Sequence, residues 1–181
     1  MRETGKLAVR LMVFALAAAL LLAVVNAFTA DRIAENTREK INAARRDVIG
    51  DYEFTDMGAE VTGLEYVTGV YAAMDGDVCA GYVYEMESRG YGGTVYLCAG
   101  VSPEGYVTGV KVSAHSETKG LGTDAGDRFI GKFVGLEARG GSVADVDGMS
   151  GATVSSNAVK KAVDEALSHF DENYAGGEAV R

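Results

Sequence analysis

Apolar and polar positions divide the chain into stretches of different period. Leu11–Ala30 (LMVFALAAALLLAVVNAFTA) is 20 residues without a charge, and its only polar members, Asn26 and Thr29, stand at the far end. At about 1.5 Å per residue such a run reaches roughly 30 Å, the thickness of a bilayer hydrocarbon core. It predicts a transmembrane helix over 11–30 behind a short N-terminus, 1–10. Asp31–Val48 continues with helical character, with Ile33, Ile41, Ala44 and Val48 near one face, and Gly50–Glu60 reads as a charged connector. Residues 31–60 are therefore expected to form a juxtamembrane helix and connector.

From Val61 the pattern changes to short β-prone runs punctuated by glycine. Tyr66–Met74 and Val78–Met86 flank Asp75-Gly76-Asp77, a hairpin signal. Thr94–Val101 follows the glycine-rich turn Ser88–Gly93, and Tyr106–Ala114 follows Ser102-Pro103-Glu104-Gly105, a β-turn composition. Four strands joined by tight turns predict an antiparallel meander. Glycines 69, 81, 100 and 109 inside those strands allow bulges or close backbone approach. Asp127–Glu137 reads as a short amphipathic helix. Asn157–Phe170 reads as the clearest helix of the domain, with Val159, Val163, Ala166, Leu167 and Phe170 at helical spacing. The fold class expected is α+β, an N-terminal transmembrane helix followed by one domain over 61–175, with a frayed tail at 176–181.

Charge gives this arrangement a direction. Arg2, Lys6 and Arg10 precede the apolar run, while Asp31 and Glu35 follow it. The positive-inside tendency then keeps residues 1–10 in the cytoplasm and puts the domain outside. A cleaved leader ending near Val25-Asn26-Ala27 is the competing reading; the length of the run and the helix continuing beyond it favour a retained anchor. The chain holds 26 Asp+Glu against 17 Lys+Arg, a formal net charge of −9, which argues against a nucleic-acid partner. Two cysteines without a CxxC and two histidines exclude a zinc ribbon, an iron–sulfur site or a His-rich metal site. Cys79 and Cys98 fall within strands, either as small buried hydrophobes or as a cross-strand disulfide.

Candidate chemistry stands before the last helix, in Asp147-Gly148-Met149-Ser150-Gly151-Ala152-Thr153-Val154-Ser155-Ser156. A hydroxyl-rich, glycine-containing loop feeding a helix N-terminus suits an anion, because unpaired N–H groups and the helix dipole converge there. A phosphate is the natural guest. The plainer alternative is helix capping by Ser155, Ser156 or Asn157, contributing about 1 kcal/mol. A second polar, glycine-bounded loop, His115-Ser116-Glu117-Thr118-Lys119-Gly120-Leu121-Gly122, leaves a strand upstream, and capping does not account for it.

The Ser-Gly-Ala-Thr-x-Ser run at 150–155, preceded by Asp147, resembles the flavinylation motif of the FMN-binding domain family. The resemblance implies FMN joined by a phosphodiester to Thr153, installed from FAD by a flavin transferase whose recognition sequence includes Asp147. The segment 115–122 resembles that family's H-x-E-T-P-G-L-G loop, with Glu117, Thr118, Gly120, Leu121 and Gly122 matching and Lys119 in place of the usual Pro, a departure that loosens the loop. By the same resemblance Ser150, Gly151, Ala152, Val154 and Ser155 join those residues in contacting the cofactor. The order of anchor, linker helix, strands, ETxGLG loop, SGATxS and final helix is similar to the G-subunit family of Rnf electron-transport complexes. This implies an electron carrier within a membrane ion-translocating ferredoxin:NAD oxidoreductase, with the other membrane subunits of that complex as partners. Alternatives are the C-subunit family of sodium-pumping NADH:quinone oxidoreductases, a stand-alone extracytoplasmic flavoprotein, and a non-redox domain binding a phosphorylated ligand.

Within that picture the redox chemistry is the cofactor's own and no catalytic acid or base is assigned. The chain is expected to be an enzyme only as a redox subunit. Lys119 or Lys160 is a candidate to offset the charge of a reduced flavin. His115 reads as a strand-end residue and His169 as a partner of the helix dipole. Tyr66, Tyr71, Tyr82, Tyr84, Tyr91, Tyr96 and Tyr106 read as sheet packing, with one or two available to stack on a flavin.

Overall fold

The computed structural model describes residues 2–58, 61–115 and 124–175 and divides into two units, Met1–Lys40 and Ile41–Arg181. Helix α1 (Arg2–Ile49) supplies the first unit. There the side chains described from Arg10 to Asn26 are all exposed, among them Leu20, Leu21 and Leu22 at 60–69%. Those 17 residues amount to about 25 Å of helix. The expected span at 11–30 is thus not reproduced within the described side chains: no helix there is long and apolar enough to cross a membrane. The tail 176–181 and residues 59–60 of the connector lie outside the described residues.

In the second unit, the end of α1 is stopped by Gly50 at φ +117°, whose N–H donates to Arg46 O at 2.8 Å, a positive-φ glycine at the helix end. A single five-stranded antiparallel sheet follows in the order β1 (Glu53–Asp56), β2 (Val67–Asp75), β3 (Val78–Arg89), β4 (Thr94–Val101), β5 (Val107–His115). The expected meander is present. Its extra strand, β1, falls in the segment read as a connector: Glu53–Asp56 pairs with Tyr71–Met74 along the open edge of β2.

Two helices cover one face of this sheet, α2 (Asp124–Gly131) and α3 (Thr153–Asn173), with a 3-10 helix at Val143–Asp145 between them. The period of two in the strands sets that face. Tyr82, Tyr84 and Met86 of β3 and Val95, Leu97 and Ala99 of β4 turn inward against Val159, Val163, Leu167 and Phe170 of α3. The helix expected over 127–137 begins three residues earlier and ends at Gly131. Gly135 at φ +84° turns the chain, and residues 135–138 then run beside β5, with Val107 N–H donating to Leu136 O at 2.9 Å.

The other face of the sheet receives the last turns of α1. Ala44 and Val48 pack there on Val83 and Cys98. Gly109 makes the approach possible: a Cβ at that position would lie 2.9 Å from the Val48 backbone. Thr108 Oγ1 donates to Val48 O at 2.6 Å, satisfying a carbonyl the helix end leaves open. Arg45 crosses the same face, its guanidinium 3.6 Å from the Tyr71 ring centroid and bonded to Glu85 Oε1 at 2.8 Å. Burial, with Glu85 adding to it and Arg45 opposing, raises the Tyr71 phenol above its ordinary range. Cys98 belongs to this face and Cys79 packs on the α3 side, six residues along β3 from the Cys98 partner Glu85, and both thiols are free.

Candidate functional site

Helix α3 begins at Thr153, a full turn earlier than the apolar spacing alone predicts, so the Ser-Gly-Ala-Thr-x-Ser run enters the helix itself. Its N-cap position is Ala152, which has no side chain able to cap. The capping alternative does not hold: Ser155 and Ser156 stand inside the first turn, are 2% and 1% exposed, and turn their hydroxyls elsewhere. Ser156 Oγ accepts from Met149 N–H at 2.8 Å, folding the motif loop back onto the helix. Ser155 Oγ accepts from Tyr91 N–H at 3.3 Å. Thr153 and Val154 are exposed, as are Ser150, Gly151 and Asp147, while Ala152 is half-buried. Gly151 sits at φ +78°, a region that disfavours other residues, and shapes the turn into the helix.

The motif's hydroxyls therefore divide into two sets. Ser155 and Ser156 hold the loop and the neighbouring turn. Thr153 and Ser150 face solvent, and of these only Thr153 belongs to the first helical turn, where N–H groups have no intrahelical acceptor and the dipole is positive. This geometry fits a phosphate ester at Thr153 and gives an anionic group favourable surroundings. Ser155, unlike Thr153 and Ser150, is buried, with its oxygen accepting from the Tyr91 amide.

Sheet topology brings the end of β5, from which the other candidate segment leaves, to the end of the sheet that holds the β3–β4 turn. The β3–β4 turn lies there, between Arg89 and its partner Thr94, and Val95 pairs with His115 at the end of β5. The loop that leaves His115 carries Glu117, Thr118, Lys119, Gly120, Leu121 and Gly122, and these lie outside the described residues. His115 is the last residue of β5. Tyr91 is the feature that sequence reading left among the packing tyrosines: it is 87% exposed and its amide docks on the α3 start. The glycines on both sides of it in Gly90-Tyr91-Gly92-Gly93 were the available signal.

Two lysines near the motif are engaged with backbone carbonyls. Lys160 Nζ donates to Ala144 O at 3.2 Å, and Lys132 Nζ donates to Asp147 O at 3.3 Å. The Lys160 ammonium thus ties the 3-10 helix to α3. His169 lies at the far end of α3, buried, its Nδ1 3.2 Å from the Tyr84 hydroxyl. Among the described residues no group of His, Cys, Asp and Glu is arranged to hold a metal ion.

Residues 90–168 match the FMN-binding domain family and residues 1–48 match the RnfG N-terminal region. The chain is 34% identical over 186 residues to the G subunit of the ion-translocating oxidoreductase complex of Pseudomonas aeruginosa, covering 88% of this chain and 85% of that one. The chain belongs to the G-subunit family of ion-translocating oxidoreductase complexes. It is also 33% identical to the corresponding G subunit of Methanosarcina acetivorans, over 93% of this chain and 95% of that one. A 37% identical match to the G subunit of the proton-translocating ferredoxin:NAD(+) oxidoreductase complex of Clostridium ljungdahlii covers 59% of this chain and 62% of that one. The match to the FMN-binding domain covers the β3–β4 turn and most of α3, the two described elements that meet at Ser155.

Proposed function

We propose that this chain is the electron-carrying G subunit of a membrane ion-translocating ferredoxin:NAD oxidoreductase, with FMN held covalently at Thr153. The observation that carries the proposal is Thr153 itself, the exposed hydroxyl of the first turn of a helix that no side chain caps. Its Oγ forms a bond to the FMN phosphorus of FAD, the pyrophosphate bond breaks, AMP leaves, and the hydroxyl proton passes to the transferase or solvent. Exposed Asp147 belongs to the surface that the transferase reads. Glu117, Thr118, Gly120, Leu121 and Gly122 line the flavin from the strand-end loop. Once attached, FMN supplies the redox chemistry, and the chain holds it by one end and orients it.

The apolar run 11–30 is the proposed anchor, with the N-terminus cytoplasmic and the domain outside. Twenty uncharged residues support this, together with the wide exposure of the described Leu11–Val25 side chains, an apolar surface that water disfavours. A covalent tether suits this location, because a cofactor lost outside the cytoplasm is not readily replaced. Partners are the other membrane subunits of the complex.

The test is flavin fluorescence in a denaturing gel, comparing wild type and Thr153→Ala co-expressed with a flavin transferase. A fluorescent wild-type band that is absent from the variant is the expected result. A dark wild-type band beside a labelled control substrate would refute the covalent carrier.

A further inference from the structure

Beside the acceptor runs a groove of about 460 Å³ between the 3-10 helix and α3, lined by Val143, Ala144, Asn157, Lys160, Lys161 and Asp164. Asn157, Lys160, Lys161 and Asp164 follow Thr153 at four, seven, eight and eleven residues, so the groove continues the helix face that bears the acceptor. Lys160 is occupied by Ala144 O, but exposed Lys161 has no ion pair among the described residues. Asp164 is the only acidic side chain in the lining. Two adjacent ammonium groups thus outnumber the carboxylates here, on a chain whose formal net charge is −9.

We infer that this groove is a docking site for an acidic segment of the flavin transferase, an inference that rests on the Thr153 reading above. A partner that modifies Thr153 must cover the surface around it. A specific interface takes about 800 Å² from each side, a patch of roughly 16 Å radius. Lys161 lies about 12 Å along the helix from Thr153, well within that radius. The contact therefore extends beyond the motif, and the side chains next in line are those of the groove. Acidic groups on the partner are the complement to its charge. Such contacts govern encounter and orientation more than the chemical step, so they act on the affinity of the transferase for its protein substrate.

Initial rates of labelling decide the matter, measured with purified full-length chain in detergent, FAD and purified transferase across a range of chain concentrations. Lys161→Glu is expected to raise KM for the chain by about tenfold with kcat within about twofold, and Lys161→Gln to give about threefold. Lys111→Glu makes the same change of charge on the α1 face of the sheet, where Lys111 meets Asp47 at 3.3 Å, and is expected to leave KM unchanged. Added salt should lower kcat/KM of wild type more steeply than that of Lys161→Glu. Equal KM values for wild type and Lys161→Glu, or equal losses in Lys161→Glu and Lys111→Glu, would overturn the groove while leaving Thr153 as the acceptor. A wild-type chain that takes no label overturns both. Thermal melting of each variant separates a docking defect from a folding defect, and a Lys161→Gln chain that melts like wild type without a rise in KM counts against the groove.

Discussion

The helix that carries Thr153 is fastened to the sheet by one carboxylate, and removing it gives a defined loss. Glu165 Oε1 accepts from Glu65 N–H at 2.7 Å, while Oε2 accepts from Tyr66 N–H at 2.6 Å and Val67 N–H at 2.9 Å. Three successive amides converging on one anion form a nest, and this one fixes where β2 begins. In Glu165→Gln one oxygen is replaced by an NH2 that cannot accept, so at least one amide faces a donor and the remaining bonds lose their charge. Hydrogen bonds to charged groups are each worth about 1.5–3 kcal/mol, but the Glu65 amide is exposed and recovers water. The net expectation is a loss of about 2 kcal/mol for Glu165→Gln, and somewhat more for Glu165→Ala. For a domain of this size that is roughly 5–8 °C in Tm. Near-UV circular dichroism of the tyrosines, followed through heating and urea titration of the full-length chain in detergent, reports it. A loss below about 0.5 kcal/mol in both variants would refute the staple, since that is the range of an ordinary surface substitution.

Two further outcomes follow from the opposite face of the sheet. Burial, with Glu85 adding to it, pushes the Cys98 thiol from 9.0 to about 12. The contribution of the neutral thiol to stability is therefore complete below about pH 9 and lost as pH rises toward about 12, because the unfolded chain ionises first. The stability difference between wild type and Cys98→Ala should stay constant up to about pH 8 and shrink above about pH 9; a difference unchanged to about pH 11 would contradict this burial. Gly109→Ala places a methyl against the Val48 backbone and should cost about 1–3 kcal/mol by overpacking. Gly131→Ala, where nothing lies within 4 Å of the added carbon, should be neutral or slightly stabilising in the same urea titration, and equal behaviour of the two would show that α1 does not sit on the sheet as described.

The strands were legible because their signals are local. Asp75-Gly76-Asp77 marks a hairpin with Gly76 at φ +62°, and the alternation through Tyr82, Tyr84 and Met86 needs only one covered face. β1 escaped because Glu53–Asp56 is polar and largely exposed, and it becomes a strand only through the β2 edge that pairs with it. The end of α2 falls short of the sequence expectation for the converse reason. Phe133, Val134 and Leu136 keep an apolar count that suits a helix, yet Gly131 and Gly135 break it and β5 offers hydrogen bonds to the chain beyond. At the site, residue types announced a phosphate-suited helix start, but which hydroxyl stays free depends on where the helix begins. Apolar spacing begins at Val159, and the polar turn before it carries no periodic signal. Tyr91 could not be singled out from six other tyrosines until the β3–β4 turn was brought to Ser155.

On the Thr153 reading, the first turn of α3 allocates its hydroxyls by angle. Successive residues of a helix are turned by about 100°, so Ser155 points nearly opposite to Thr153 and Ser156 stands about 60° round from it, and both serines are buried where Thr153 is exposed. The packing of Val159 and Val163 on the sheet turns 155 and 156 inward. Buried there, each serine accepts a backbone N–H that otherwise has to be satisfied by other means, one from the motif loop and one from the β3–β4 turn. A phosphate on either serine would have to displace that bond and draw a side chain out of the core, leaving an amide unpaired at a cost of about 1–3 kcal/mol. At Thr153 the same attachment disturbs no described hydrogen bond and puts an anionic phosphodiester beside uncapped amides. The apolar face of α3 therefore selects the acceptor: the residues that bury the helix also decide which hydroxyl on it is left for chemistry.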